Sequence, residues 1–474
     1  MDVASLPFAL FAIASVLVFY LINSRSRIVY LLLLSGLFIA SFSYVLLIYV
    51  LLYALINYLI GLKIPLSRHK IVLFRIGIAF NLLQLILLKY SSFALDPIFS
   101  LFHSDIQISR LSEFIIPLGI SFFTLQGIGY LVNVKMGWEK PEKRLHHFFL
   151  YILFFPKFLS GPIERSNHFL PQLGSKSEFQ RSNVVEGLRI ALVGFFKKIV
   201  IANQLGIVVN NVYADPEAFG GLNLWIVIIL QPLYLYFDFS GYTDIAIGIA
   251  KTFGINLLPN FNKPFLSENI TTFWRRMHMS LSFWFNDYVF KQLSFKYRRW
   301  GIYSATFAVF ITFTLFGIWH GAGWNYMILG FLQALAINYE FFTKRTRFIL
   351  FSHLPSATRV WAGRICTYLF FGISHVFFFA PDTETAFQFY SKLTDMSLRL
   401  YLGVSSRFVF FFALGSLLVF MVLEILNLDM KSKFVRVESF WNNNRFLRLS
   451  TYYVLILFIL SQLGGAETFI YQMF

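Results

Sequence analysis

The sequence predicts an all-α polytopic membrane protein, and three observations carry that reading. Of its 474 residues, 57% are hydrophobic and only 13% charged, against about a quarter charged in a soluble chain. The apolar residues fall in many runs of roughly 18 or more, the length needed to cross ~30 Å of hydrocarbon. Lysine and arginine collect in short segments between those runs, the bias of cytoplasmic loops in membrane proteins. Together these give about 12 (10–14) transmembrane helices, with re-entrant and interfacial helices among them. No internal repeat, linker or low-complexity stretch divides the chain, so residues 1–474 are expected to form one membrane domain.

The elements follow in order. Leu6–Ile22 reads as a first span and not a cleaved signal, because Met1-Asp2-Val3 has no basic run before it. Arg25 and Arg27 place the following turn in the cytoplasm and the N-terminus outside. Ile28–Leu62 would be about 52 Å long as one helix at ~1.5 Å per residue, too long for one crossing, so it is expected to split in two. Ile71–Tyr90 leads out to a loop, Ser91–Ser112, holding Asp96 and Asp105, and Phe114–Val134 returns to Lys135, Lys140, Lys143 and Arg144. His146–Gly161 is short, and Pro156, Gly161 and Pro162 make it re-entrant, which a membrane tolerates only where the backbone is buried in protein or lines a polar cavity. Val184–Val212 and Leu222–Ile249 follow, the second interrupted at Asp238–Asp244. In Phe273–Gln292, the residues Phe273, Met277, Leu281, Trp284 and Tyr288 recur every three or four positions, the pattern of an amphipathic helix lying at the inner interface. Ile302–Ile318, Trp324–Phe342, Arg364–Phe379, Phe408–Leu426 and Tyr452–Leu463 complete the spans, leaving Tyr471–Phe474 outside.

Composition also excludes classes. The net charge of +17 is explained by cytoplasmic loops, and no nucleic-acid-binding motif accompanies it. There is no P-loop, HExxH, CxxC, dinucleotide-binding fingerprint or GxSxG elbow. One cysteine, Cys366, rules out an intrachain disulfide. His278 and His320 lie 42 positions apart without nearby carboxylate or thiolate partners, so no metal site is expected.

His320 ends an almost purely apolar run, and an ionisable group at membrane depth is by default a functional candidate. Gly321 and Gly323 thin the backbone on one side of it, while Trp319 and Trp324 are expected to wall the other. A desolvated imidazole stays neutral and can accept a proton, but a buried histidine bonded to a backbone carbonyl is an equal alternative. His278, one turn after Trp274, is a weaker candidate that could simply cap a polar face. Asp238, Ser240 and Tyr242 are read as bracing a helix break, with cation binding the lesser option. Lys197, Lys198, Arg275 and Arg276 could meet the phosphates of an anionic cofactor, or snorkel to the lipid headgroups. His375 is a further intramembrane imidazole that reads as packing.

Several blocks then match one family in order: Pro117-Leu118-Gly119-Ile120-Ser121-Phe122-Phe123; Phe155-Pro156-Lys157 with Ser160-Gly161-Pro162-Ile163; Phe195-Phe196-Lys197-Lys198; Asp238-Phe239-Ser240-Gly241-Tyr242-Thr243-Asp244; Asn260-Phe261-Asn262-Lys263-Pro264-Phe265; Phe273-Trp274-Arg275-Arg276 with His278-Met279-Ser280-Leu281-Ser282; and Trp319-His320-Gly321. From about Ile116 to Phe342 the chain resembles the membrane-bound O-acyltransferase family, in particular its bacterial branch of alginate O-acetylation and teichoic-acid D-alanylation proteins. By that resemblance His320 is the essential histidine and His278 a second, conditionally important one. The resemblance implies tilted spans around a thinned centre and a central tunnel joining a cytoplasmic donor to an outward-facing acceptor. The donor would be acetyl-CoA or an acyl group on the phosphopantetheine of a carrier protein, used as substrate and not bound tightly as a cofactor. A partner with an extracytoplasmic SGNH-hydrolase-like domain would receive or relay the acyl group. Two departures stand out: Phe290-Lys291-Gln292-Leu293-Ser294-Phe295 stands where alginate-acetylating relatives have a Pro-Leu-Gly-Gly turn, which bears on donor and acceptor class, and Phe379 stands where many relatives carry arginine, which reads as neutral. The first leans toward the D-alanylation type.

The sequence thus predicts a multi-pass O-acyltransferase of the bacterial inner membrane, moving an acyl group, foremost acetyl, to a hydroxyl of an exported polysaccharide or a partner protein. D-alanyl transfer to teichoic acid is the first alternative. A transporter or flippase for lipid-linked glycans is the rival of another class, against which the lack of a two-half repeat counts.

Overall fold

The computed structural model describes residues 2–96, 118–174, 178–395, 407–429 and 444–463. The parts of the expected outer loop that hold Asp105, the start of Phe114–Val134, and the Tyr471–Phe474 tail lie outside them. The described residues are helical throughout, with no strand among them. Helices occupy all twelve expected spans, and seven of those helices are long and apolar enough to cross a membrane by themselves. The protein is a multi-pass membrane protein.

Local sequence sets several boundaries. α1 (Leu6–Leu21) starts where the Ser5 side chain accepts from the Phe8 N–H, satisfying one of the orphan donors of a helix start. The long run after Arg27 does split, into α2 (Arg27–Ala40) and α3 (Tyr44–Lys63). Ser43 caps the second piece through the Leu46 N–H. α4 (Lys70–Leu88) and α5 (Ile120–Met136) pack beside α3. The nine-residue α6 (Leu145–Leu153) reaches only ~14 Å at 1.5 Å per residue. The turns after it, through Phe155, Lys157 and Gly161, are buried. Lys157 there donates to the Tyr151 carbonyl at 2.6 Å and to the Gln126 side chain. The segment is thus too short to cross by itself and has its polar groups met inside protein, the condition under which a re-entrant course is tolerated.

α7 (Arg181–Phe195) runs through a π-helical stretch, Phe196–Ala202, into α8 (Asn203–Ala214) and packs along the 32-residue α9 (Gly221–Thr252). The expected break at Asp238–Asp244 is absent: α9 is continuous through it. Gly241 serves contact instead. A Cβ on it would lie 2.9 Å from the Gly194 carbonyl, and one on Gly248 would lie 2.5 Å from that of Gly187. Small residues at such spacing let two membrane helices approach closely. The acidic residues that suggested a break are paired with the π-helical stretch after α7: Lys197 Nζ lies 2.7 Å from Asp244, and Lys198 is bonded to Asp238 with both side chains buried.

The segment Phe273–Gln292 is also not one interfacial helix. α10 (Ile270–Trp274) stops, His278 takes a left-handed φ of 45°, and α11 (Met279–Phe285) starts anew before the π-helical Asn286–Phe290. Asn260 imposes the break: its carbonyl accepts from the Met279 N–H at 2.8 Å, and its Oδ1 accepts from Ser280 N and Oγ at 3.1 and 2.8 Å. The apolar stripe, Phe273, Met277, Leu281 and Trp284, is buried against other helices and not laid on lipid.

Contacts gather the basic loops on one face. Tyr58 donates to the Lys143 carbonyl, Ser166 to Glu139, and Arg165 pairs with Asp287. Tyr20 donates to the Thr252 carbonyl, and Gln172 exchanges bonds with the Asn256 backbone. The remaining helices are α12 (Ile302–His320), α13 (Trp324–Leu350), α14 (Ser356–Ser374), α15 (Arg407–Asp429) and α16 (Arg445–Gln462). Of these, α12 starts next to Arg298 and Arg299 and so ends, at His320, away from the basic face.

Candidate active site

Three imidazoles line one cavity. His278 arrives on a re-entrant hairpin tied to the basic face at both ends, by Glu340 accepting from Thr271 N and by Arg165 holding Asp287. His320 is the last residue of α12, and His375 directly follows α14. They are 2%, 5% and 2% exposed respectively. Leu235, Trp274, Met277, Phe316, Leu329 and Phe378 complete most of the wall. The open space is about 10 Å³, near the least that admits one water. The tunnel expected from the resemblance is not seen here: the rings of Trp274, Phe316, Phe371 and Phe378 leave only this small space. Among the described residues, no three His, Cys, Asp or Glu side chains come close enough together to hold a metal ion.

The geometry fixes one tautomer. His320 Nδ1 lies 2.8 Å from the Phe316 carbonyl oxygen, one helical turn back. A carbonyl can only accept, so Nδ1 carries the hydrogen and Nε2 of the neutral ring carries the lone pair. Trp319 and Phe316 pack on the ring at 5.0 and 4.7 Å between centroids, and Phe378 closes it at 5.6 Å. His278 lies on the other side of Trp319, 5.7 Å from it, with Phe239 edge-on at 4.6 Å. His320 is thus bonded to a backbone carbonyl, as one alternative expected, while its ring lines the cavity and keeps a lone pair on Nε2.

The end of α12 is held from afar. Lys89 donates to the Trp319 carbonyl at 2.8 Å, the His320 carbonyl at 3.4 Å and Ser121 Oγ at 3.0 Å. Tyr90 donates to the Ile318 carbonyl at 3.0 Å. Final-turn carbonyls lack helical partners, and Lys89 and Tyr90 supply the missing donors. Nothing in the local pattern around Lys89 announces this role.

The other expected site residues fall into separate places. Trp319 is buried beside His320, but Trp324 does not wall the site. It is 62% exposed and packs against Phe93 at 5.5 Å. Tyr326 takes the position, so close that a Cβ on Gly321 would lie 2.1 Å from its ring. Asp238, Ser240 and Tyr242 are buried within continuous α9, where Asp238 meets Lys198. Lys198 is therefore engaged with Asp238 inside the protein and does not snorkel to the surface. Lys197 pairs with Asp244, whereas Arg275 is exposed and Arg276 half-buried. Phe379, in the place of an arginine, stacks between Tyr213 and Tyr234 at 5.7 and 5.9 Å. His375, which the sequence reads as packing, lines the cavity, and the residues missed from sequence are Lys89 and Gln333, the latter accepting from Trp274 Nε1 at 3.1 Å.

A second pocket of about 340 Å³ opens near the basic face, lined by Asn133, Trp138, Arg165, Asp287, Tyr288 and Lys291 among others. Nearby Glu139 accepts from Ser166 at 2.6 Å, and burial pushes its carboxyl up to about 7. A raised acid stabilises the fold fully below its unfolded value, near 4.5, and loses that contribution as pH rises toward 7. The wild-type melting temperature in detergent should therefore fall between pH 5 and 7.5 relative to Glu139→Gln, by roughly 3 kcal/mol of stability at most. The curves should converge near pH 4.5, and parallel curves throughout would show the carboxyl to be solvated.

A polytopic helical protein with a buried cluster of imidazoles at a helix end and a re-entrant turn is the class that fold and site define. The model of MBOAT, the membrane-bound O-acyltransferase family, matches residues 142–353. The chain belongs to that family. It is 32% identical over 283 residues to the probable alginate O-acetylase AlgI of Pseudomonas putida, covering 58% of this chain and 57% of that one. With the peptidoglycan O-acetyltransferase of Helicobacter pylori it shares 32% over 361 residues, 70% and 66% of the two chains. With the teichoic acid D-alanyltransferase of Bacillus subtilis it shares 36% over 238 residues, 48% and 60%. The chain thus spans between about half and two thirds of the length of these relatives.

Proposed function

We propose that this protein is an O-acyltransferase that moves an acyl group, acetyl foremost, from a thioester donor on its basic face to a hydroxyl on the opposite side. The observation that carries the reading is the Nδ1 bond of His320 to the Phe316 carbonyl, which turns the lone pair of Nε2 toward a cavity shared with His278. The attacking hydroxyl passes its proton to His320 Nε2 as its oxygen bonds to the thioester carbonyl carbon. The C–S bond then breaks, and the proton goes on to the departing sulfur, giving an ester and a free thiol. His278, reaching the cavity from the basic face, orients the thioester end. Because the space now admits about one water, Phe316, Phe378, Leu329 and Met277 must part for an acyl group to enter. The same tight apolar wall would keep bulk water from the thioester.

The donor in this reading is acetyl-CoA or an acylated phosphopantetheine carrier protein, and the acceptor an exported polysaccharide or a serine of an SGNH-hydrolase-like partner outside a bacterial inner membrane. The exposed Arg275 and half-buried Arg276 remain available for donor phosphates, unlike Lys198. The 36% identity to a teichoic acid D-alanyltransferase supports D-alanyl as the second donor class. The test is to supply membrane vesicles bearing the protein with radiolabelled acetyl-CoA, or with a D-alanyl carrier thioester, and follow free thiol and labelled ester together. Equal release of thiol and ester with one donor supports that donor. Thioester untouched by protein that still moves lipid-linked glycan across the vesicle would replace this reading with the transporter.

A further inference from the structure

His375 shares the construction of His320. Each stands at the end of an apolar helix, and each has Nδ1 held by the carbonyl four residues back, 2.8 Å to Phe316 for His320 and 2.9 Å to Phe371 for His375. The same tautomer follows: hydrogen on Nδ1, lone pair on Nε2. Both rings line the cavity and both pack on Phe378, at 5.6 and 5.9 Å. A chain of hydrogen bonds braces His375 from behind, in which Trp274 donates to Gln333 and Gln333 to Ser374 Oγ at 2.9 Å. The Phe371 ring lies 3.5 Å from it between centroids. A phenyl ring would fill the same space without the cost of burying polar nitrogens. Packing alone therefore does not account for an imidazole.

We infer that His375 is a third substrate-contacting residue, whose Nε2 accepts a hydrogen bond from a second O–H or N–H of the bound substrate while His320 takes the reacting proton. That donor group is either a neighbouring hydroxyl of the acceptor or an amide N–H of the thioester arm. The assignment rests on the acyl-transfer reading.

The test compares His375→Gln, His375→Asn and His375→Phe in membranes, with wild type alongside. Glutamine can place an acceptor near the Nε2 position, whereas asparagine keeps only a group near Nδ1 that can still bond the Phe371 carbonyl. The inference expects His375→Asn and His375→Phe to lose about tenfold in kcat/KM, as removal of one substrate hydrogen bond does. His375→Gln should recover most of it, with all three proteins extracting and melting like wild type. The substrate whose KM rises, acceptor or donor, identifies the bonded group. If His375→Asn is fully active and His375→Gln is not, the residue is only a helix cap and the inference fails. If His375→Phe is fully active, it fails likewise. Should wild type itself transfer no acyl group, the acyl-transfer reading is what fails, and His375 is judged instead by whether His375→Asn alters whatever transport is then measured.

Discussion

Replacing His320 with alanine is expected to lower acyl transfer by about 10²–10⁴-fold, the range that a positioned general base contributes. The protein should still insert and extract in wild-type amounts. The side chain removed is bonded to the Phe316 carbonyl, and the end of α12 keeps its ties to Lys89 and Tyr90. The rings that touch it keep other partners: Phe316 packs on Trp274, Trp319 on Phe122 and Phe378 on Tyr326. His320→Gln should be nearly as inactive, because a neutral amide near Nε2 can bond a hydroxyl but cannot take its proton. The measurement is ester formed per unit of folded protein in vesicles. Undiminished transfer by well-folded His320→Ala would remove the imidazole from the chemistry and leave it a helix-end packing group.

The second large effect concerns stability. Lys198 and Asp238 are bonded to each other with both side chains buried, so removing either one strands a charge away from water. Asp238→Ala or Lys198→Met alone should cost about 3–5 kcal/mol, seen as lost yield from membranes and early melting in detergent. The double change Lys198→Met with Asp238→Leu should recover most of that loss, since apolar residues of similar volume commonly replace a buried pair without penalty. A Lys198→Met protein that stays folded but requires much more thioester donor would instead give the lysine a part in donor binding.

Helix positions were largely legible because a crossing demands a length of apolar sequence that few other structures require. The split of residues 28–62 followed from length alone, and Ser43 supplied the cap. The re-entrant turn after α6 followed from Pro156 and Pro162. What could not be read depended on partners far away in sequence. Phe273, Met277, Leu281 and Trp284 were legible as one apolar set, but periodicity shows neither that protein and not lipid covers them nor that Asn260 would interrupt the helix at His278. Asp238 and Asp244 looked like groups in search of a helix end because their lysines lie about forty residues earlier, on another helix. Trp324 was assigned to the site by nearness to His320 along the chain. A bend at Gly321 sends its ring outward and brings in Tyr326. His375 was visible, but only the folding of α14 against α13 gives it a cavity to face.

The clamp on α12 has a bearing on which part of the chain can work by itself. Lys89 and Tyr90 precede residue 142, where the match to the family model begins, yet they hold the three carbonyls that end the helix bearing His320. The stretch that carries the family's signature is thus anchored by sequence it does not contain. A fragment trimmed to that stretch would keep every signature histidine while losing the fastening that sets one of them in place.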